Sequence, residues 1–234
     1  MPSAQRANGE PTDIFVVLAA FNEAAVIGDV VRELVAHDLN VVVVDDGSSD
    51  ETALEAANAG AIALRHALNR GQGAALQTGI DYCISRGAGI LVTFDADGQH
   101  RSEDIPHLVR PILDGTVDVV LGSRFLGTTE NMPVLRGALL KAAVLFTRIH
   151  SRARVTDVHN GFRAFSRRAA TRIRISQDRM AHASELIDQI VSSGLPYKEM
   201  PVHVRYTEYS RAKGQRASGA LKILADYLLG GLTR

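Results

Sequence analysis

Asp95, Asp97 and Gln99 occupy alternate positions directly after the apolar run Ile90 to Phe94. In an extended segment residues i, i+2 and i+4 project from one side, so two carboxylates and an amide oxygen face a common point. Hard oxygen ligands presented this way suit Mg²⁺ or Mn²⁺, which keep open positions for water and phosphate oxygens. On spacing alone a second reading stays open, an aspartate pair capping the following helix. A calcium loop does not fit: its pattern needs Gly at the sixth position and Glu at the twelfth, where the chain has His100 and Pro106.

Gly71-Gln72-Gly73 precedes a helical stretch, where unpaired amides and the helix dipole favour an anion or a closely packed nucleotide. As a dinucleotide fingerprint it is incomplete, because Leu76 stands at the third glycine position and the loop follows the third strand. There is no Gly-Lys-Ser or Gly-Lys-Thr, hence no Walker loop. The one cysteine, Cys83, lies in an amphipathic segment and reads as core; it excludes an internal disulfide and a Cys-based zinc site.

Apolar strands must position these groups. Ile14 to Ala20 reads as a buried strand leading to Asn22-Glu23 and a helix from Ala24 to His37. Val41 to Val44 is a second strand, ending in Asp45-Asp46-Gly47-Ser48. Ser48 and Glu51 have capping-box spacing, so a helix is expected to run to about Gly60. Ala61 to Arg65 leads into the 69–73 loop and a helix ending near Gly87; Ile90 to Phe94 leads into a helix from Glu103 to Leu113; Val117 to Leu121 is a fifth strand. This alternation predicts an α/β, Rossmann-like, mostly parallel sheet with helices on both faces. In such sheets ligands bind beyond the carboxyl ends of the strands, where the acidic motifs gather. Beyond Arg124 the pattern is less regular: a helix from Val134 to about His150, a short strand near Phe162, a helix from Ala181 to Ser193, a strand from Lys198 to Tyr206, a polar Thr207 to Ser218 tail and a helix from Ala220 to Leu232. Residues 1–12 read as a disordered start and 13–234 as one domain, with 13–123 its metal half and 124–234 its acceptor half.

The 234 residues carry zero formal net charge, unevenly distributed. Up to Ser123 there are 7 Lys and Arg against 18 Asp and Glu; from Arg124 onward there are 19 against 8. An acidic half suits a metal and a basic half suits anions. Nucleic acid is not indicated, because no interleaving of Arg with aromatics accompanies the basic residues. No apolar stretch reaches the roughly 18 to 20 residues of a membrane span, and no signal peptide is expected, so the reading is a cytoplasmic protein.

Six ordered motifs carry a family resemblance: Ala20-Phe21-Asn22-Glu23, Val44 to Asp50, Asn69 to Gly73, Asp95 to His100, Gly122-Ser123-Arg124 and Asn160-Gly161-Phe162-Arg163. Over Ile14 to about Leu224 the chain resembles family 2 inverting glycosyltransferases of the GT-A fold, and among them polyprenyl-phosphate glycosyltransferases similar to dolichyl-phosphate mannose synthase. The resemblance implies a nucleotide-sugar donor, UDP- or GDP-linked, and a Mg²⁺ or Mn²⁺ cofactor. It assigns Ala20, Phe21, Asn22, Glu23, Asp46, Gly47, Arg70, Gly71, Asp95, Ala96 and Asp97 to donor binding, with Asp95, Asp97 and Gln99 at the metal. Arg124, Arg163, Arg211 and Lys213 fall where the family binds the donor diphosphate or an acceptor phosphate.

The implied acceptor is a polyprenyl phosphate, already an anion that needs no strong general base; a saccharide hydroxyl is the alternative and requires one. Asp157 is the first choice for that base and Glu185 the second, with Asp95 the third candidate catalytic carboxylate facing the donor. His159 and His182 keep open roles. Gly137-Ala138-Leu139-Leu140 after Arg136 lacks the serine the family often has there, which weakens the lipid-phosphate assignment. A lipid acceptor implies peripheral association with the inner face of the cell membrane, through the Val134 to Ile149 or Ala220 to Leu232 helix, or through a membrane partner protein. Two further readings of another class are a sugar-1-phosphate nucleotidyltransferase and a non-catalytic nucleotide-sugar binder.

Overall fold

The computed structural model describes residues 4–5, 11–151, 153–178, 182–207 and 209–210. Arg211 and Lys213, most of the polar tail, and the helix expected over Ala220 to Leu232 lie outside the described residues. Two short strands, β1 (Ala4–Gln5) and β2 (Pro11–Thr12), pair antiparallel within the segment expected to be irregular.

The remaining strands form one sheet. They are β3 (Ile14–Ala20), β4 (Asn40–Asp45), β5 (Ile62–Arg65), β6 (Ile90–Thr93), β7 (Val119–Glu130), β8 (Arg163–Ser166) and β9 (Tyr197–Arg205), in the order β5-β4-β3-β6-β8-β7-β9. β5, β4, β3 and β6 run parallel; β8 is antiparallel to both β6 and β7, and β9 is parallel to β7. The sheet is therefore mostly parallel, as expected, with one reversed strand that the apolar pattern could not orient.

Helices cover both faces, and the alternation along β3 shows how. Phe15 and Val17 enter one core cluster with residues of α3 (Gln72–Ser85), α6 (Arg167–Arg172) and α7 (His182–Ser192). Val16, Leu18 and Ala20 enter the other, with α1 (Ile27–Val35) and α4 (Ile105–Leu113). Period-two side chains buried on both sides demand a continuous Val and Leu run, which the strand has. α2 (Thr52–Asn58) packs beside α1, and α5 (Val134–Ser151) contacts α7.

Among the described residues the expected elements are present with ends shifted by a few residues, α6 is additional, and two differ in substance. The Ser48–Glu51 capping box does not form: Glu51 is the residue before α2, with no side-chain cap, and Ser48 Oγ instead accepts the amide of Asn22 at 2.9 Å. The fifth strand extends through the region read as irregular, reaching Glu130, because β9 pairs along it as far as Arg205.

Close packing of α3 on the sheet requires Gly79, where an added Cβ would lie 2.3 Å from Val17 Cγ1 and 3.2 Å from Val44 Cγ2. Gly79→Val is expected to lower unfolding free energy by about 2 kcal/mol, because neither buried valine can move aside. A urea midpoint equal to wild type would contradict this packing.

Candidate active site

Four loops meet at the carboxyl ends of β3, β4, β5 and β6, and their backbone bonds interlock. Asn22, with φ of 54°, turns the chain after β3; its Oδ1 accepts the Ser49 amide at 2.9 Å. The Glu23 amide donates to Thr52 Oγ1 at 2.8 Å and that of Ala24 to Asp50 Oδ2 at 3.1 Å. Gly47, with φ of 73°, lets the next loop approach: a Cβ there would lie 2.8 Å from both Asn69 N and Leu68 C. Asp46 then binds that loop, accepting from Arg70 N at 2.9 Å and Gly71 N at 2.6 Å. Phe21 is exposed.

After β6, Asp95 Oδ2 accepts from His100 Nε2 at 2.9 Å, and His100 is packed against Phe94 and Phe162. Burial pushes the Asp95 carboxyl upward, but the bond to His100 and the charges of His100, Arg124 and Arg163 outweigh it and hold it below its ordinary value. Asp97 goes the other way. Burial and then the charge of Asp95 raise it to about 6, against opposing effects of His100 and Gln99. The Gln99 side-chain Nε2 donates to Asp97 Oδ2, so the two side chains adjoin. Among the described residues no three His, Cys, Asp or Glu side chains form a metal-binding group. An ion here would complete its shell with the Gln99 oxygen, water and ligand oxygens, which suits Mg²⁺ or Mn²⁺.

These residues open on a cavity of about 200 Å³. Its lining includes Glu23, Asp95, Ala96, Asp97 and Gln99 together with the cationic Arg124, Arg136 and Arg163. Gly161 also lines it, so close to Asp95 that a Cβ would be 2.1 Å from Oδ1. A larger groove of about 740 Å³ lies at the opposite ends of these strands, beside Ile90, Asp118 and Arg168, and contains none of the motif residues.

Ala20, Phe21, Asn22, Asp46, Gly47, Arg70 and Gly71 build the adjoining loops and do not line this cavity. Asp157 and Glu185 are also absent from its lining. Asp157 Oδ2 accepts from Arg124 Nε at 2.6 Å and Arg124 N at 3.1 Å, leaving the carboxylate buried behind that arginine. Arg124 also donates to the Tyr206 hydroxyl at 2.8 Å. Glu185 accepts the amides of Ser176 and Gln177, holding a loop that packs on Gly73 at the start of α3. Both carboxylates thus hold neighbouring groups, although Asp157 Oδ1 is buried without a hydrogen-bond partner.

Sequence reasoning passed over Arg136, Gln72 and Ala183, and left His159 and His182 without a role; all five line the cavity. Arg136 stacks on the Tyr206 ring, 5.0 Å from its centroid. Its signal was available: from Asn131 to Thr156 the chain has basic residues and no Asp or Glu. Tyr209, beyond β9, donates to Glu23 Oε2 at 2.7 Å, tying the end of the described chain to the turn after β3; burial and this bond raise its pKa.

A mostly parallel, doubly covered sheet with acidic loops at its strand ends is the GT-A arrangement. The chain belongs to glycosyl transferase family 2, whose model matches residues 15–174. It is 41% identical over 222 residues to an uncharacterized protein of Methanocaldococcus jannaschii, covering 93% of this chain and 91% of that one. It is 33% identical over 238 residues to the UDP-N-acetylglucosamine–dolichyl-phosphate N-acetylglucosaminyltransferase of Methanococcus voltae, covering 92% and 95%. Polyprenol monophosphomannose synthase of Mycolicibacterium smegmatis is 28% identical over 231 residues, covering 92% and 87%. In fold, glucosyl-3-phosphoglycerate synthase of Mycobacterium tuberculosis, solved with Mn²⁺, UDP-glucose and phosphoglyceric acid, superposes with a TM-score of 0.75 at 22% identity, covering 95% of this chain and 79% of that one. The protein is a glycosyltransferase.

Two tests follow from the geometry. Gly161→Ala is expected to displace Asp95 and to cut glycosyl transfer by on the order of tenfold or more, with circular dichroism unchanged; wild-type turnover would show that Asp95 need not be held there. His159 is half-buried with Nδ1 enclosed and unpartnered, and desolvation and then the charge of Arg163 depress its pKa from 6.5 to about 4. Between those values the unfolded chain holds the extra proton, so this residue's contribution to stability falls as pH drops from 6.5 towards 4 and is constant above. His159→Gln is expected to flatten the denaturation midpoint against pH in that window, and an unchanged slope would refute the neutral imidazole.

Proposed function

We propose that this enzyme transfers a sugar from a UDP- or GDP-linked donor to a polyprenyl phosphate, with Mg²⁺ or Mn²⁺ bound and with inversion at the anomeric carbon. The observation that carries this reading is that one cavity is lined both by Glu23, Asp95, Asp97 and Gln99 and by Arg124, Arg136 and Arg163. Asp95, Asp97 and Gln99 would hold the ion, whose chemistry is to offset negative charge on the donor diphosphate as it departs. The raised pKa of Asp97, caused by burial and by Asp95, supports a cation there, since positive charge relieves crowded carboxylates.

On the donor side, Ala20 to Glu23, Asp46, Gly47, Arg70 and Gly71 would receive the nucleotide, with Asp95 and Ala96 beside the sugar. On the acceptor side, guanidinium groups of Arg124, Arg136 and Arg163 would bind a phosphate through paired N–H donors. The phosphate oxygen would attack the anomeric carbon from the face opposite the departing diphosphate, and one such displacement inverts the centre.

A phosphate acceptor is favoured over a saccharide hydroxyl because neither proposed base, Asp157 or Glu185, lines the cavity. Asp157 holds Arg124 and Glu185 holds the 176–177 loop, so in this reading both position other groups. The dolichyl-phosphate and polyprenol relatives support the same acceptor class. Family membership argues against a nucleotidyltransferase or a binder without turnover.

No described helix is long and apolar enough to cross a membrane. α5 supports peripheral attachment at the inner face: Val134 and Leu145 are 90% and 60% exposed, and its charged residues Arg136, Lys141 and Arg148 are all basic. Apolar side chains among basic ones suit an anionic lipid surface.

The enzyme incubated with radiolabelled UDP- and GDP-sugars, Mn²⁺ and polyprenyl phosphate should move label into organic extract. Asp97→Ala should reduce that transfer by on the order of a hundredfold without loss of fold. Label confined to water-soluble saccharide would overturn the acceptor, and wild-type transfer by the variant would overturn the metal site.

A further inference from the structure

His66 follows β5 and belongs to none of the motifs, yet both of its ring nitrogens are engaged. Nδ1 lies 2.7 Å from Asp46 Oδ1 and Nε2 lies 2.9 Å from Thr78 Oγ1. The ring is nearly buried, with 9% of the side chain exposed. Thr78 Oγ1 also donates to Ala74 O at 3.0 Å, within α3. A hydroxyl has one proton: directed to Ala74 it must accept from Nε2–H, and directed to the ring it meets a bare Nε2. In either arrangement Nδ1 carries the proton facing Asp46, because a carboxylate oxygen offers none.

Asp46 therefore takes donors from two directions. His66 and the Arg70 amide converge on Oδ1, while the Gly71 amide binds Oδ2. Gly71, with φ of 103°, is the residue before α3, and Gln72, one residue on, lines the cavity. A rotation of the Asp46 carboxyl would release both loop amides and let the start of α3 drift from the cavity. His66, anchored on α3 through Thr78, opposes that rotation.

We propose that His66 is a positioning residue for the donor site, fixing Asp46 and through it the Arg70-Gly71 loop in the conformation that receives a nucleoside diphosphate. This rests on the reading of that loop as part of the nucleotide pocket. A side-chain amide at position 66 retains a donor for Asp46, so His66→Asn should preserve much of the effect that His66→Ala removes.

The loop itself gives a readout that needs no ligand. Trypsin cleaves after Arg70, which is exposed, and after Arg86, exposed beyond the far end of α3. In His66→Ala, cleavage after Arg70 should accelerate about tenfold, as losing one buried hydrogen bond allows, while cleavage after Arg86 stays at the wild-type rate. His66→Asn and Thr78→Val should lie between. Dissociation constants for UDP and GDP with Mn²⁺, and the donor KM, should rise about tenfold in His66→Ala with kcat within about twofold.

Unchanged cleavage after Arg70, or equal acceleration at both arginines, would overturn the positioning role. A loosened loop with nucleotide affinity equal to wild type would overturn its link to the donor. Failure of wild type to bind either nucleotide would instead sink the donor reading, while the Arg70 rates would still decide whether His66 holds the loop.

Discussion

A carboxylate at the end of a buried strand must be matched by donors or positive charge, and Asp95 is matched from more than one side. His100 bonds its Oδ2, Arg163 adds charge, and Gly161 gives it room that any side chain would fill. Asp97, two residues on, accepts only the neutral donors of Gln99 and no bonded cation, and burial and the charge of Asp95 outweigh them to raise its pKa. The contrast arises from packing. His100 is fixed between Phe94 and Phe162, so it can serve one carboxylate only, and the second is left facing the cavity.

Topology explains how Arg163 reaches that place. In a purely parallel sheet, the segment leading into a strand lies at the edge opposite the acidic loops. β8 runs antiparallel between β6 and β7, with Arg163 in register with Thr93 and Leu121. Its lead-in, residues 157–162, therefore arrives at the same rim as Asp95. Thr93 Oγ1 donates to Gly161 O at 2.6 Å, and Gly122 N donates to Phe162 O at 2.9 Å, fastening that lead-in to the strands on either side. The reversal of one strand places a basic segment from the second half of the chain against an acidic one from the first.

Most of the parallel half was legible in the sequence because burial on both faces leaves an unmistakable run of Val, Leu and Ala in β3, β4 and β6. The direction of β8 was not, since four half-apolar residues have the same pattern read either way. That Asp95, Asp97 and Gln99 share one cavity was legible through their alternation. Arg136 could be marked by its acid-free basic stretch but not placed, because its position depends on where α5 begins relative to Tyr206, a contact between residues 70 positions apart. Asp157 has a partner that its place beside a motif could not reveal: its Oδ2 pairs with Arg124 Nε, on β7. Ser48 fails as a cap for a similar reason, a distant amide having claimed its hydroxyl.

The Arg124 and Asp157 pair bears on the chemistry through its burial. An ion pair withdrawn from water is retained at a desolvation cost, and its clearest use is to fix a geometry. Here the geometry is that of a guanidinium: Nε is held by Asp157, one terminal nitrogen by Tyr206 and the other by the His159 carbonyl at 3.0 Å. Glu199 secures the other side of the arrangement, accepting the amides of Thr156 and Asp157. A cation held on three sides cannot swing to follow a ligand, so it offers a fixed field at the cavity wall. Arg136, half-buried and stacked on the same tyrosine, has the freedom that Arg124 lacks. One rigid and one adaptable guanidinium in the same cavity as a carboxylate pair suit a reaction in which negative charge moves between two phosphates and no proton has to be removed.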